Sequence, residues 1–243
     1  MLAYRNNKPR KNIMQKNYTS AKVKKVYDSG IFDRMIGTDK SKGAPPAILQ
    51  KFFDGDIAYI KSKLPDNKNL LEVGCGFGRL LIHLSATSKK VTGIDFCPSQ
   101  IKKSRKTTAT LANVRTKLMR AEKMKFENNL FDQTVCLNNS LGNMPGIEGL
   151  VIHEMKRVTK RGGKIIVRVF SDDEKIRRAQ HKNYRRLGFT DIHDDGCAVV
   201  TSEGFYSRRF TRKDLLMLFK ETGLNPRIYK DVKIGYIAEA TKE

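Results

Sequence analysis

The sequence predicts an α/β fold: a doubly wound, mostly parallel sheet with helices on both faces. Three observations carry this. A short apolar run, Leu70-Leu71-Glu72-Val73, enters glycines at alternate positions, Gly74, Gly76 and Gly78, and then the helical spacing of Leu80, Leu81 and Leu84. A second run, Val91-Thr92-Gly93-Ile94, ends in Asp95. Further strand-like runs, near Arg115 to Met119, Phe131 to Leu137 and Lys164 to Phe170, alternate with helical segments, the pattern of βα units.

Strand, glycine turn and helix let a ligand touch backbone at the carboxyl end of a parallel strand. Glycine is needed there because the turn reaches positive φ and a Cβ would push the ligand away. Asp95, at the tip of the second strand, can accept two hydrogen bonds from a ribose diol. Two ligands fit: a dinucleotide, or S-adenosylmethionine (SAM). The dinucleotide fingerprint wants its third glycine where this chain has Arg79; here it comes one residue early, at Gly78. Glu72, two residues before Gly74, suits a ligand carrying an amino group, which favours SAM.

With 243 residues the chain has room for one domain and an extension. Hydrophobic content of 39%, with 12 Phe and 8 Tyr, is enough for a packed core. A net charge of +23 fits either an anionic partner, RNA above all, or a solvated basic surface. Cys75, Cys97, Cys136 and Cys197 are too scattered for a zinc site or a disulfide framework. They read as small thiols in a reducing, cytoplasmic setting, with no metal expected. No apolar segment is long enough for a membrane span, and residues 1–25 lack a signal peptide's apolar core.

Taken in order, residues 1–25 hold eight Lys or Arg and no acid, and read as a basic arm. Val26 to Asp33 mixes aromatics with turn formers and is expected to pack on the body, with Tyr27 folding over a ligand. Residues 1–44 thus form a basic extension that can serve as a lid, and 45–243 form the main domain. A helix is expected over Ala47 to Lys63, and a turn at Pro65-Asp66-Asn67. Pro98 suits the first helical position. A helix from Gly149 to Val158 is stopped by Gly162-Gly163. A very basic helix, Lys175 to Arg186, presents Arg177, Arg178, Lys182, Arg185 and Arg186. A hairpin turns at Ser202-Glu203-Gly204, and Thr211 caps a helix that Gly223 ends. Two strand-like runs, Pro226 to Lys230 and Lys233 to Ala240, close the chain.

From Leu70 to Phe170 the chain resembles the class I SAM-dependent methyltransferases. It is most similar to the broad branch, rich in enzymes of small molecules, that ends Glu-x-x-Arg-Val-x-x-x-Gly-Gly, here Glu154 to Gly163. The resemblance implies a Rossmann-like sheet with its last strand reversed and inserted between its neighbours. It also implies a lid insertion over about 171–210. Glu72, Gly74, Cys75, Gly76 and Gly78 would hold the methionine part of SAM, Asp95 the ribose, and Phe96 would lie against adenine. Ala121 would offer its N–H to adenine, with Glu122 beside it, and Asn138 would line the pocket under the sulfonium. One position departs from the family: Arg120 stands where an adenine-accepting Asp is common, and a guanidinium cannot accept.

The resemblance implies transfer of a methyl group by in-line displacement, with the acceptor lone pair about 3 Å from the methyl. A general base helps only an acceptor that arrives protonated. His181, His193, Asp194, Asp195 and Tyr206 fall in the insertion and are weak candidates for that base. No Asn/Asp-Pro-Pro-Tyr/Phe signature of amino-group methylation is present; Asn138-Asn139-Ser140-Leu141 stands in its place. The leading expectation is methylation of a small molecule at N or O. The alternative is an RNA methyltransferase using the basic arm and the 175–186 helix. A third reading is a catalytically silent subunit of this fold.

Overall fold

The computed structural model describes residues 25–39, 41–64, 68–231 and 234–243. Most of the basic arm and the turn at 65–67 lie outside them. A short helix α1 (Ile31–Met35) precedes the long helix α2 (Ala47–Lys63). The core then runs β1 (Asn69–Val73), α3 (Arg79–Thr87), β2 (Lys90–Asp95), α4 (Pro98–Thr107), β3 (Val114–Leu118) and β4 (Phe131–Cys136). It continues with α5 (Glu148–Val158) and β5 (Thr159–Phe170), and closes with α7 (Arg212–Glu221), β9 (Arg227–Asp231) and β10 (Gly235–Thr241). Between Phe170 and α7 lie α6 (Glu174–Arg186) and the strands β6 (Ile192–Asp194), β7 (Ala198–Thr201) and β8 (Tyr206–Arg208).

The seven-stranded sheet has the order β3-β2-β1-β4-β5-β10-β9. β1 pairs in parallel with β2 and β4, and β10 runs antiparallel between β5 and β9. The reversed, inserted last strand is therefore present. Strands such as Leu70–Val73 are buried on both faces, which is why they read as continuous apolar runs. One face packs Val151, Ile152, Met155, Leu215 and Phe219 of α5 and α7; the other packs Ile60, Leu81, Leu84 and Ile101 of α2, α3 and α4.

Local chemistry sets several boundaries. Pro98 occupies the first turn of α4, and Thr211 with Asp214 forms a capping box on α7. Gly223, at φ 69°, accepts the turn that ends α7. The helix end expected at Val158 holds, and the boundary that differs is the start of β5, at Thr159 rather than Lys164, because Thr159 already pairs with Phe131. Residues between Thr159 and Lys164 form an irregular loop-out of that strand, so the glycines serve the strand rather than the helix stop.

Residues 171–210 hold α6 and a three-stranded antiparallel sheet, β6-β7-β8. The Ser202-Glu203-Gly204 turn joins β7 to β8 as expected. β6 was not anticipated: three residues, two of them polar, carry too little apolar pattern to signal a strand. Ser171 bridges Phe210, and Phe210 N–H donates to Phe170 O at 2.9 Å, so the segment leaves and re-enters at one point.

The basic face expected on α6 is partly dismantled. Arg186 turns inward and donates to the carbonyls of Arg34 (2.7 Å) and Lys42 (2.9 Å), and Arg177 pairs with Asp194 at 3.2 Å. Arg178, beside Glu174, remains exposed with Lys182 and Arg185.

Candidate functional site

A cavity of about 530 Å³ opens at the carboxyl ends of β1, β2 and β4. Gly74 and Cys75 N–H both donate to Ile94 O, at 2.9 and 3.0 Å, folding the turn after β1 across β2. Gly74 and Gly76 have φ of 76° and 52°, and a Cβ on Gly74 would lie 2.8 Å from Ser140 Cβ. At Gly76 a Cβ would meet only Gln100 Oε1, at 3.8 Å, and would otherwise occupy open space at the cavity wall.

Of the positions singled out in the sequence, Tyr27, Glu72, Gly74, Cys75, Gly76, Asp95, Phe96, Ala121, Glu122 and Asn138 all line this cavity. Gly78 does not. It starts α3 at φ 90°, where a Cβ would lie 2.6 Å from Ser104 Oγ, so its role is close packing of α3 on α4. Tyr27 lies with its ring 5.0 Å from Phe96, and its carbonyl accepts from Gln100 Nε2 at 2.9 Å.

Asp95 accepts from Gly76 N–H at 3.0 Å and from Cys97 N–H at 2.9 Å. Burial nevertheless pushes its carboxyl above the usual range, against the N–H groups of Cys97, Gly76 and Phe96. Burial likewise pushes Glu72 up to about 8, with Arg79 opposing and Asp56 and Asp95 adding to the rise. Glu72 Oε2, Arg79 Nε, Asn138 Oδ1 and Gln100 Oε1 are buried without a hydrogen-bond partner in the protein. Such atoms in one cavity mark where a ligand's polar groups would go.

Arg79 belongs to a buried chain of charge. Asp231 holds the Arg168 guanidinium, with Nε at 2.8 Å; Arg168 Nη1 lies 2.9 Å from Asp56 Oδ1, and Asp56 Oδ2 lies 3.7 Å from Arg79 Nη2. Arg168 and Asp56 are both wholly buried. Arg168 also stacks over Phe52 at 4.0 Å, and Gly55 clears room for it, since a Cβ there would lie 2.4 Å from Nη2. Asp56 accepts as well from the backbone N–H of Asn138, at 3.2 Å. Burial raises the Asp56 carboxyl, opposed by Arg168 and Arg79.

The Glu154–Arg157 pair of the sequence pattern is a clamp. Glu154 Oε2 accepts from Met124 N–H at 2.7 Å, and Arg157 donates to the carbonyls of Met124 and Phe126. This fixes the loop that carries Ala121 and Glu122. Arg120 forms an ion pair with Glu122.

The base candidates His181, His193, Asp194 and Tyr206 are not among the residues lining the cavity, and neither is Asp195. Asp194 gathers His181 Nε2 (2.6 Å) and Arg209 Nη2 (2.5 Å). Burial opposes it, yet the His181 and Arg209 hydrogen bonds hold its carboxyl below the usual range. This is a structural ion cluster joining α6, β6 and the end of β8.

Instead, the insertion and the loop after β4 contribute Asn139, Ser140, Gln180, Asn183, Tyr184 and Ser207. For Asn139 a signal existed: Asn138 and Asn139 have φ of 55° and 58°, and asparagine is the residue most tolerant of that region after glycine. Gln180, Tyr184 and Ser207 carry no local signal. Their meeting depends on how α6 docks on β8.

Among the described residues no cluster could hold a metal ion, and no helix is long and apolar enough to cross a membrane. All four cysteines are free, three of them buried.

Residues 70–163 match the protein family described as "Methyltransferase domain". That match spans less than half of the chain, and the fold around it is the one found in solved SAM-dependent methyltransferases. It is 32% identical over 110 residues to a sterol 4-C-methyltransferase of Caenorhabditis elegans, a match covering 44% of this chain and 32% of that protein. It is 35% identical over 99 residues to a demethylmenaquinone methyltransferase of Staphylococcus aureus, covering 40% of each. The aligned stretch thus spans less than half the length of these curated relatives. A Burkholderia thailandensis 1,6-didemethyltoxoflavin-N1-methyltransferase, solved with bound 1,6-didemethyltoxoflavin and S-adenosylhomocysteine, has a similar fold at 15% identity. The likeness covers 99% of this chain and 93% of that one, with a TM-score of 0.63.

Proposed function

We propose that this protein transfers the methyl group of SAM to a small-molecule acceptor held in the cavity. The observation that carries this is the cavity's division. One end has the glycine cradle, Asp95, Glu72 and Arg79 with unpartnered polar atoms; the other has aromatic rings and neutral amide and hydroxyl groups from residues 139–207. The first end fits SAM: Glu72 suits its ammonium, Arg79 its carboxylate, Asp95 the ribose diol, and Phe96, Ala121 and Glu122 the adenine. When bound, SAM supplies a methyl group already activated on a sulfonium. The chain's own task is then to exclude water and hold an acceptor in line.

In this reading residues 171–210 are the acceptor lid, and Tyr27 closes over the cofactor end. Among the described residues, the lining contributed by 139–207 holds no His, Asp, Glu or Lys. The acceptor atom therefore needs no proton taken by the protein: a nitrogen lone pair, or an oxygen ionised before it enters. The names of the relatives, sterol, demethylmenaquinone and didemethyltoxoflavin methyltransferases, support a small acceptor with a ring system. The inward turn of Arg186 and the pairing of Arg177 weigh against α6 as an RNA-binding face.

The test is methyl transfer from methyl-labelled SAM to fractionated metabolites and, in parallel, to total RNA. Label in a small-molecule fraction is the expected result; label in RNA alone refutes it.

A further inference from the structure

The second end of the cavity contains a hydrogen-bonded relay whose direction is forced. Arg209, wholly buried, donates from Nη1 to Gln180 at 2.7 Å. A guanidinium can only donate, so the Gln180 atom facing it is the oxygen. Gln180 Nε2 must then face the other way, where it lies 3.1 Å from the Tyr184 hydroxyl and 3.2 Å from Ser207 Oγ. A second amide is fixed in the same manner. The backbone N–H of Phe170 donates to Asn139 Oδ1 at 2.9 Å, so Asn139 Nδ2 points to Ser207 Oγ, at 3.2 Å.

Ser207 thus accepts from two amides, and its remaining capacity is its own hydrogen. Gln180 Nε2 donates to the Tyr184 oxygen at 3.1 Å. Arg209, Gln180 and Tyr184 thus form a chain of donations that runs from the guanidinium toward the phenol, with Ser207 accepting from both amides. The Tyr184 hydroxyl accepts from Gln180 Nε2, which leaves its own hydrogen for a partner outside the relay. Tyr184 lines the cavity, its ring set edge-on to Phe205 at 5.2 Å, and Phe205 stacks on Phe189. Burial pushes the Tyr184 phenol up to about 12, so it keeps that hydrogen at neutral pH.

Resting on the small-molecule reading above, we propose that Tyr184 selects the acceptor. Its hydroxyl donates to a carbonyl-type oxygen on a planar ring compound whose faces lie among Phe205, Phe170 and Phe32. A hydrogen-bond donor on the ligand at that point would meet a hydroxyl already accepting from Gln180, and would be disfavoured. Arg209 and Asp194, 2.5 Å apart, act at a distance by locking Gln180 in the orientation that sets the relay. They are positioning residues.

The test uses a matched pair of flat probes: chromone, which has a ring carbonyl, and naphthalene, which has none. Equilibrium dialysis measures both against the full chain saturated with S-adenosylhomocysteine. Wild type should hold chromone about tenfold more tightly, the discrimination of one buried hydrogen bond. Tyr184→Phe removes only the hydroxyl and should bring the ratio close to one, with S-adenosylhomocysteine binding and the melting temperature retained. Gln180→Glu keeps the hydroxyl but reverses the relay: a carboxylate can only accept, so Tyr184 turns its hydrogen away from the cavity and the ratio should fall likewise. A ratio near one in wild type, including binding of neither probe, or a ratio that survives in Tyr184→Phe, overturns the proposal. If wild type fails to bind S-adenosylhomocysteine itself, the methyltransferase reading fails and this inference with it. Should Gln180→Glu not fold, Tyr184→Phe alone decides.

Discussion

Glu72 gives the most direct test of how the cavity receives a charged ligand. Its carboxyl is buried at the end of β1, lifted to about 8 by desolvation and by Asp56 and Asp95, with Arg79 opposing. At pH 7 a group of that pKa carries about 0.9 of a proton in the empty protein. An ammonium arriving beside it stabilises the ionised form and lowers its pKa. Binding of S-adenosylhomocysteine, which carries the same ammonium as SAM, should therefore release close to one proton at pH 7, falling to about a tenth of a proton by pH 9. The assay is isothermal titration calorimetry in two buffers of different ionisation enthalpy. The difference in apparent binding enthalpy, divided by the difference in buffer enthalpy, gives the protons released. Glu72→Gln should abolish the release. A binding enthalpy independent of buffer at pH 7 in wild type would refute the reasoning, because Glu72 would then already be ionised or would not meet the ammonium. The same raised pKa has a consequence for folding. Its stabilising share is fully present below about pH 4.5, the unfolded value, and is lost as pH rises through about 8. Urea denaturation of Glu72→Gln should accordingly show a flatter stability profile across that window.

Four further outcomes follow from the geometry. Asp95→Ala should weaken S-adenosylhomocysteine binding by about 1.5–3 kcal/mol in calorimetry, since a charged acceptor is lost; unchanged affinity would remove Asp95 from the site. Asp56→Ala leaves Arg168 buried with only Asp231 opposite it and should cost about 3–5 kcal/mol in chemical denaturation. Arg186→Ala removes the donors that hold the carbonyls of Arg34, Lys42 and Gly43, so the segment bearing Tyr27 should exchange its amide hydrogens faster and cofactor affinity should fall, while the midpoint of global unfolding shifts little. Reversing Arg178 and Arg185 to Glu should leave turnover of a small acceptor, and its salt dependence, almost unchanged; loss of turnover would restore an anionic partner.

The parts of this protein that were readable in the chain are those whose cause is local. The alternate glycines, Asp95 at a strand tip, Pro98, and Thr211 followed by Asp214 each state their geometry within a few residues. Tyr27 was legible as a cavity residue only because aromatics beside turn formers rarely stay in solvent. What is not legible in the chain depends on side chains far apart in sequence. Asp56 and Arg168 are 112 positions apart, and each alone looks like an ordinary surface charge on a helix or a strand. Asp194 is a candidate base from its place in the 171–210 insertion, yet its partners are His181 and Arg209. Arg186 looked like part of a basic face, and its donors satisfy main-chain carbonyls instead. No periodicity signals that role.

The joined ends of the 171–210 segment have an evolutionary meaning. Because Ser171 bridges Phe210 at the rim of the main sheet, the chain between them leaves and returns at one point, and it rests on the body through contacts such as Arg186 with Arg34 and Asn139 with Ser207. Replacing that segment with one of different length changes the loop-closure term only logarithmically, about 0.6 kcal/mol per doubling, and leaves the strand order untouched. In the reading proposed above, with residues 171–210 over the acceptor, the part of the cavity assigned to SAM and most of the part assigned to the acceptor then come from separable stretches of chain. A lineage can trade one acceptor for another by exchanging the appendage, without renegotiating the sheet that carries Gly74, Gly76 and Asp95.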